Sequence, residues 1–333
     1  MHVTSGCVQK TEAVQIAIKP HVTPRHLTTA ELNKVKPNEV GRIPILMYHS
    51  IAESGKYDRR GLNISAATFR RQLEMMRNAG WYPVNMREVL TAHLNVPLGK
   101  TPVVLTFDDS RESQVRFLPN KKLSPICALG VMEAFHSKYP DWPLAGTFYV
   151  LPGSRWNPVP FGQKGKEQIK LARLLKEGFE IGNHTYTHRF MGKMNASDVQ
   201  WEMTSSIRAI RAVCPQATMD TMALPYGEAP DNPTTRKFIL DGEREGIKYS
   251  NRCILRAWGE PSYPFTDRRF NPQHVERVGA EPGYIEACIK ELTMKKHYPR
   301  YISDGNPNTI TIPVYYRSLI DKRRLEGSEL IVY

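Results

Sequence analysis

Apolar and polar positions follow two alternating rhythms along this chain. Short solid apolar runs are separated by stretches in which apolar residues recur every three or four positions. The run Ile43-Pro44-Ile45-Leu46-Met47-Tyr48 predicts a buried strand. Ser65 then precedes a stretch with Phe69, Leu73 and Met76 on one face, and Gly80 stands where such a helix stops. Tyr82-Pro83-Val84 opens another short strand. Val103-Val104-Leu105-Thr106-Phe107 is the strongest strand and ends abruptly at Asp108-Asp109. A helix near 125–137, a strand at 146–151 and a loop over 152–165 rich in proline and glycine follow. Residues 166–176 read as a helix ended by Gly178, and Glu180-Ile181-Gly182 as a strand leading into His184. A longer helix covers 197–213, and a strand over 218–224 ends at Pro225-Tyr226-Gly227.

Repeated strand–helix alternation predicts an α/β fold with a largely parallel sheet. The flanks are weaker. Residues 1–41 read as an N-terminal tether, with Pro20, Pro24, Pro37 and a short helix near Thr29–Lys34. Residues 42–280 form the main domain. Residues 281–333 read as a C-terminal extension with one amphipathic helix (Ile285, Ile289, Leu292) and one strand over 309–315.

Composition narrows the class. Of 333 residues, 41% are hydrophobic and 24% charged, values of a globular chain. No apolar run approaches the roughly 18 residues of a membrane span. The net charge is +13, of which residues 1–42 carry +3 and residues 281–333 carry +1. The excess therefore sits in the body of the protein, which suits an anionic surface such as cell-wall polymer, or simply a basic soluble protein. No helix-turn-helix, zinc-finger or RRM signature is present, so no nucleic-acid partner is expected. The five cysteines are widely spaced and form no CxxC, which argues against a disulfide framework and a cysteine-based zinc site. Thr4-Ser5-Gly6-Cys7 resembles the end of a bacterial lipoprotein leader without its charged and apolar parts. It is either the remnant of a truncated leader, with a lipid anchor at Cys7, or a chance match.

Three places past strand ends are candidates for chemistry, because that edge of a parallel sheet collects it. Asp108-Asp109 puts two carboxylates side by side, which is costly without a cation or a hydrogen-bonding shell; a helix cap or solvated turn is the plainer alternative. His184 and His188, at i and i+4, converge on one metal when the backbone is helical or turned; otherwise they are surface histidines. With Asp109 they make a His2–Asp set that leaves positions open for water and substrate. Pro225-Tyr226-Gly227 presents its backbone rigidly, so a main-chain N–H there suits an oxyanion; alone it is an ordinary turn.

Taken together over about residues 42–280, these motifs resemble the polysaccharide deacetylases, the chitooligosaccharide-deacetylase homology group known as carbohydrate esterase family 4. The resemblance rests on Pro44-Ile45-Leu46-Met47-Tyr48-His49-Ser50, on Thr106-Phe107-Asp108-Asp109 and on Gly182-Asn183-His184-Thr185-Tyr186-Thr187-His188. It implies a distorted (β/α) barrel of about seven strands. It implies a divalent metal, zinc first and cobalt, nickel or manganese as alternatives, on Asp109, His184 and His188. Asp108 is then the general base, and the Tyr226 backbone N–H meets the oxyanion. Pro225, Tyr226 and Trp258 are the expected substrate-binding residues; Tyr48 and Trp156 are further aromatic candidates near the active face.

Three departures stand out. Ser110 replaces the usual glycine after the aspartates. Ala223 stands where an arginine often orients the base. No late Leu-x-x-His motif supplies the general acid; His274 has a poor context, and His49 is the other candidate. The leading expectation is a metal-dependent hydrolase that removes acetyl groups from N-acetylated polysaccharide, outside the cytoplasm, in the cell envelope or secreted. The alternatives are a non-catalytic carbohydrate-binding protein on the same fold, or an amidase or O-acetyl esterase with another substrate.

Overall fold

The computed structural model describes residues 24–52, 62–294 and 299–333. Cys7 and most of the expected tether lie outside them. Eight parallel strands form the central sheet: β1 (Ile45–Tyr48), β2 (Trp81–Val84), β3 (Thr101–Phe107), β4 (Thr147–Val150), β5 (Glu180–Asn183), β6 (Met222–Ala223), β7 (Ile254–Leu255) and β8 (Val278–Gly279). Seven follow the order β7-β6-β5-β4-β3-β1-β8, and β2 pairs with the lower half of β3. Val275 bridges Leu255 at one edge, while Val278 pairs with Leu46 at the other. The segment 275–279 thus closes the curled sheet into a distorted barrel, as expected.

Strand residues divide by the two-residue period of the pleat. Leu46, Tyr48, Leu105 and Phe107 face outward into a core shared with the helices. Ile45, Val84, Val104, Tyr149, Ala223 and Leu255 fill the barrel interior. The helices are α1 (Thr29–Val35), α2 (Ala66–Asn78), α3 (Ala128–Lys138), α4 (Glu167–Lys176), α5 (Ala196–Val213) and α6 (Tyr284–Met294). Ser65 caps α2 by accepting from Thr68 N at 2.9 Å, a contact worth about 1 kcal/mol. Phe69, Leu73 and Met76 are fully buried, each contributing about 1.5–3 kcal/mol.

Both outer boundaries move. Asn38, Glu39, Val40 and Gly41 are buried, and Asn38 and Arg42 bridge Ile302 and Arg300. This end of the tether is therefore packed, because its backbone groups pair with the chain's last segment. At the other boundary, Ile285, Cys288 and Leu292 of α6 join the main core, and Gln72 Nε2 donates to Ala280 O at 2.8 Å. Helix α6 belongs to the barrel, not to an extension. The strand expected over 309–315 stops at Ile312, where Pro313 opens a 3-10 turn, and pairs in parallel with Glu329–Val332. The strand expected over 218–224 shrinks to Met222–Ala223. Cys127, Cys214, Cys253 and Cys288 are free and buried. Among the described residues no helix is long and apolar enough to cross a membrane.

Candidate metal centre and catalytic pocket

The three strand ends meet in one pocket. Its volume is about 180 Å³, and its walls include His49, Asp108, Asp109, His184, His188 and Tyr226. A cavity of about 400 Å³ lies elsewhere on the molecule. Chemistry rather than size therefore marks the smaller one.

Asp109 follows β3 with φ at 73°, and Ser110 follows with φ at 43°. Ser110 adopts this left-handed backbone without being glycine, at a cost of about 1–3 kcal/mol. Surrounding bonds hold it there. Its Oγ accepts from Leu151 N at 3.1 Å, Phe161 N donates to its carbonyl at 2.7 Å, and Asn157 Nδ2 donates to the carbonyls of Asp109 and Ser110 at 2.8 and 3.0 Å. The missing glycine therefore leaves the turn intact.

Asp109 Oδ1 lies 3.4 Å from His184 Nε2 and 3.3 Å from His188 Nε2. The ligand atoms of the three residues all fall within 4.8 Å of one another. His184 Nδ1 donates to Ala223 O at 2.7 Å, so in the neutral ring Nε2 carries the lone pair. That lone pair and Asp109 Oδ1 are both buried, and neither makes a hydrogen bond. Two buried acceptors face each other with no proton between them. A cation between them satisfies both, and the His2–Asp donor set suits zinc or a neighbouring divalent metal. The charges agree. Burial opposes a charge on His184, but Asp108 and Asp109 outweigh it and raise its pKa. Burial likewise pushes Asp109 up, but the imidazoles hold it well below the ordinary carboxylate range. Burial and the adjacent His184 bring His188 down to about 4.

The loop carrying the histidines is held from below. Glu202 on α5 is fully buried; its Oε2 accepts from Tyr186 N at 2.9 Å and Thr187 N at 2.8 Å, and its Oε1 accepts from Thr187 Oγ1. Arg111 donates to Asp109 Oδ2 at 3.0 and 3.2 Å and stacks over Trp156 at 4.0 Å. Asp109 thus gives one oxygen to Arg111 and the other to the histidines.

Asp108 has a different partner. Arg277 donates through Nη1 to Oδ1 at 2.8 Å and through Nη2 to Oδ2 at 2.7 Å. Both side chains are almost wholly buried, and Arg277 also donates to Thr106 Oγ1 at 3.0 Å and Arg256 O at 2.7 Å. Burial would raise the Asp108 pKa; Arg277 and His184 reverse that and lower it. Arg277 thus fills the place left by Ala223, reaching from the segment that closes the barrel. Sequence reasoning missed it and Glu202. The sequence offered little signal, since Arg277 stands beside Glu276 in the mixed stretch Val275-Glu276-Arg277-Val278.

His49 lines the pocket at the end of β1. Burial lowers its pKa against the upward pull of Asp108 and Asp109. His274 does not join the site. It lies 3.8 Å from Glu276 and lines another cavity with Arg42 and Tyr263. Tyr226 has φ at 58°, and its ring meets His188 edge-on at 4.8 Å. Gly227 is required beside it, since a Cβ there would lie 2.5 Å from Ala257 N. Trp156 and Trp258 line the pocket and are about half exposed, whereas Pro225 is buried and Tyr48 points into the outer core. Pro225 therefore shapes the turn without lining the pocket.

Comparison with known proteins agrees with this geometry. Residues 144–238 match the family model described as polysaccharide deacetylase. A chitooligosaccharide deacetylase of Bradyrhizobium sp. (strain ANU 289) is 32% identical over 130 residues, 39% of this chain and 48% of that protein. One from Sinorhizobium fredii is 30% identical over 138 residues, 41% of this chain and 52% of that protein. The chain spans about half the length of these curated relatives. A polysaccharide deacetylase from Bacillus cereus shares the fold with a TM-score of 0.55 at 16% identity, covering 74% of this chain and 69% of that one. A Streptococcus pyogenes deacetylase does so with 0.52 at 21% identity, covering 75% and 97%. In sequence and in fold the chain resembles the polysaccharide deacetylases.

Proposed function

We propose that the protein is a metal-dependent hydrolase that removes acetyl groups from N-acetylated polysaccharide and releases acetate. The observation that carries this reading is the Asp109–His184–His188 cluster, whose buried Asp109 Oδ1 and His184 Nε2 have no hydrogen bond, beside an Asp108 clamped by Arg277. Asp109, His184 and His188 would hold a divalent metal, which would supply Lewis acidity to a bound water and to the acetyl oxygen. Asp108, kept ionised by Arg277, orients the attacking water and takes its proton. The Tyr226 backbone N–H donates to the oxyanion. His49, which burial keeps neutral, is placed to relay to the leaving amine the proton that Asp108 takes from the water. Trp156, Tyr226 and Trp258 offer aromatic faces to the sugar beside the pocket.

A binding protein without catalysis drew its support from Ala223 and the absent late histidine. Arg277 and His49 offer both missing groups, so no observation favours that reading. An amidase or O-acetyl esterase would use the same residues; initial rates on N-acetylglucosamine oligomers, acetylxylan and small amides rank the substrates. A polymeric substrate is consistent with action outside the cytoplasm.

The test is metal content together with turnover. Near one divalent ion per chain is expected, lost in His184→Ala, with acetate release that stops on chelation and returns with zinc. No bound metal after incubation with zinc, cobalt or nickel sinks the reading.

A further inference from the structure

The end of the barrel away from the pocket carries a different kind of cavity. Thr101 opens β3 there, and its Oγ1 donates to Tyr301 O at 2.7 Å. Strand β3 then runs seven residues to the catalytic end, roughly 20 Å at ~3.3 Å per residue. Next to Tyr301, Arg300 lines a cavity of about 400 Å³ together with Lys36, Asn38, Tyr315, Tyr316 and Tyr333. The volume falls within the roughly 300–1,000 Å³ typical of small-molecule sites.

Three kinds of group in this cavity want a partner. The first is a cation. Arg300 is partly buried, and its Nη1 donates to Ala79 O at 3.3 Å. Among the described residues no carboxylate pairs with Arg300 or Lys36. Burial alone acts on the guanidinium and pulls its pKa down. The second is an acceptor. Asn38 is only 6% exposed; its Nδ2 donates to Arg300 O at 3.4 Å, and its Oδ1 is buried and receives no hydrogen bond. The third is aromatic surface. Tyr315 is 71% exposed and leans on Tyr316 with ring centroids 4.4 Å apart.

One ligand class answers all three. A sugar acid brings a carboxylate for the cations, hydroxyl donors for the amide and a C–H face for the tyrosine rings. A neutral sugar leaves Arg300 without a counter-ion, and a bare anion leaves the tyrosines uncovered. We propose that this cavity binds a carboxylated saccharide, a uronate-bearing stretch of glycan, as an anchoring site separate from the catalytic pocket. The net charge of +13 attracts such a chain at long range.

The experiment is calorimetric titration of the full chain with trigalacturonate, which has no acetamido group for the catalytic pocket. Binding is expected, with affinity that falls as salt rises. Tyr315→Ala and Lys36→Gln, both exposed enough to leave folding intact, should each weaken it at least tenfold. Tyr226→Ala, in the catalytic pocket, should leave it unchanged. Absence of binding overturns the proposal, as does a loss confined to Tyr226→Ala. Equal affinity for neutral cellotriose removes the role of the cations, and equal affinity for acetate or inorganic phosphate reduces the site to an anion hole. Either result refutes a saccharide-acid site.

Discussion

The two ends of the barrel each bury a pair of carboxylates and treat them in opposite ways. At the catalytic end, Asp108 faces Arg277 while Asp109 faces Arg111 and two histidines; Arg277 and His184 hold Asp108, and the imidazoles hold Asp109, below the ordinary range against the effect of burial. At the other end, Glu39 and Asp304 are buried with no ion pair among the described residues, and only His26 acts on Asp304 from a distance. Glu39 accepts from Tyr301 Oη at 3.0 Å and Thr311 N at 2.7 Å, while Asp304 accepts from the hydroxyls of Thr309 and Thr311. Those neutral donors do not offset desolvation, to which Asp304 adds repulsion at Glu39, so Glu39 rises well above the carboxylate range and Asp304 rises as well. Burial alone does not decide protonation; the sign of the neighbours does. One pair is kept ionised, as the proposed proton transfer and metal binding require. The other joins residues 37–42 to the chain's last segment.

The largest test of this contrast is Asp108→Asn. Acetate release should fall about 10²- to 10⁴-fold, as for loss of a general base, while zinc content stays near wild type. Unchanged turnover would remove Asp108 from the chemistry. Arg277→Gln comes next. It leaves a buried carboxylate without its partner, which costs about 3–5 kcal/mol of stability. It also raises the Asp108 pKa, so the acid limb of the kcat/KM profile should move to higher pH. A conventional profile in a destabilised variant would make Arg277 structural only. Glu202→Gln should be milder. It weakens the hold on the loop carrying His184 and His188, and zinc affinity should fall about 10–100-fold, as for other groups that orient metal ligands. Titration against a competing chelator reads this directly.

The legible part of the molecule was whatever obeyed a local period. Strand β3, helix α2 with its Ser65 cap and the approach of β5 to His184 follow from runs of neighbouring residues. Asp109 and His184 were also legible, since each sits just past a strand, and His188 by its four-residue spacing from His184. The closing strand β8 was not. It has two residues, and its pairing with β1 joins positions more than 200 residues apart, which no local pattern encodes. Arg277 was hidden for the same reason, because its role depends on closure of the ring. The packed stretch 37–42 reads as loop because its backbone partners, Pro299, Tyr301, Ile302 and Thr311, lie at the far end of the chain.

The finest test concerns that packed end. A carboxylate whose folded pKa is raised binds more protons folded than unfolded between its ordinary value of 4.5 and the raised one. In that window the unfolded state has fewer protons, so stability falls as pH rises. The Glu39 contribution to stability should therefore decline as pH rises above its ordinary value of 4.5, by about 1.4 kcal/mol for every pH unit by which folding lifts its pKa. Glu39→Gln cannot ionise, so the wild-type-minus-variant difference should slope downward across the same range. The variant gives up one acceptor, facing Thr311 N or Tyr301 Oη, which sets a constant offset of about 1 kcal/mol. Turnover should be unaffected, because Glu39 lies at the far end of β3 from Asp108. A flat difference across pH would mean that Glu39 is ionised at neutral pH, with a cation held nearby. The contrast between the two ends would then be one of partner identity, not of protonation.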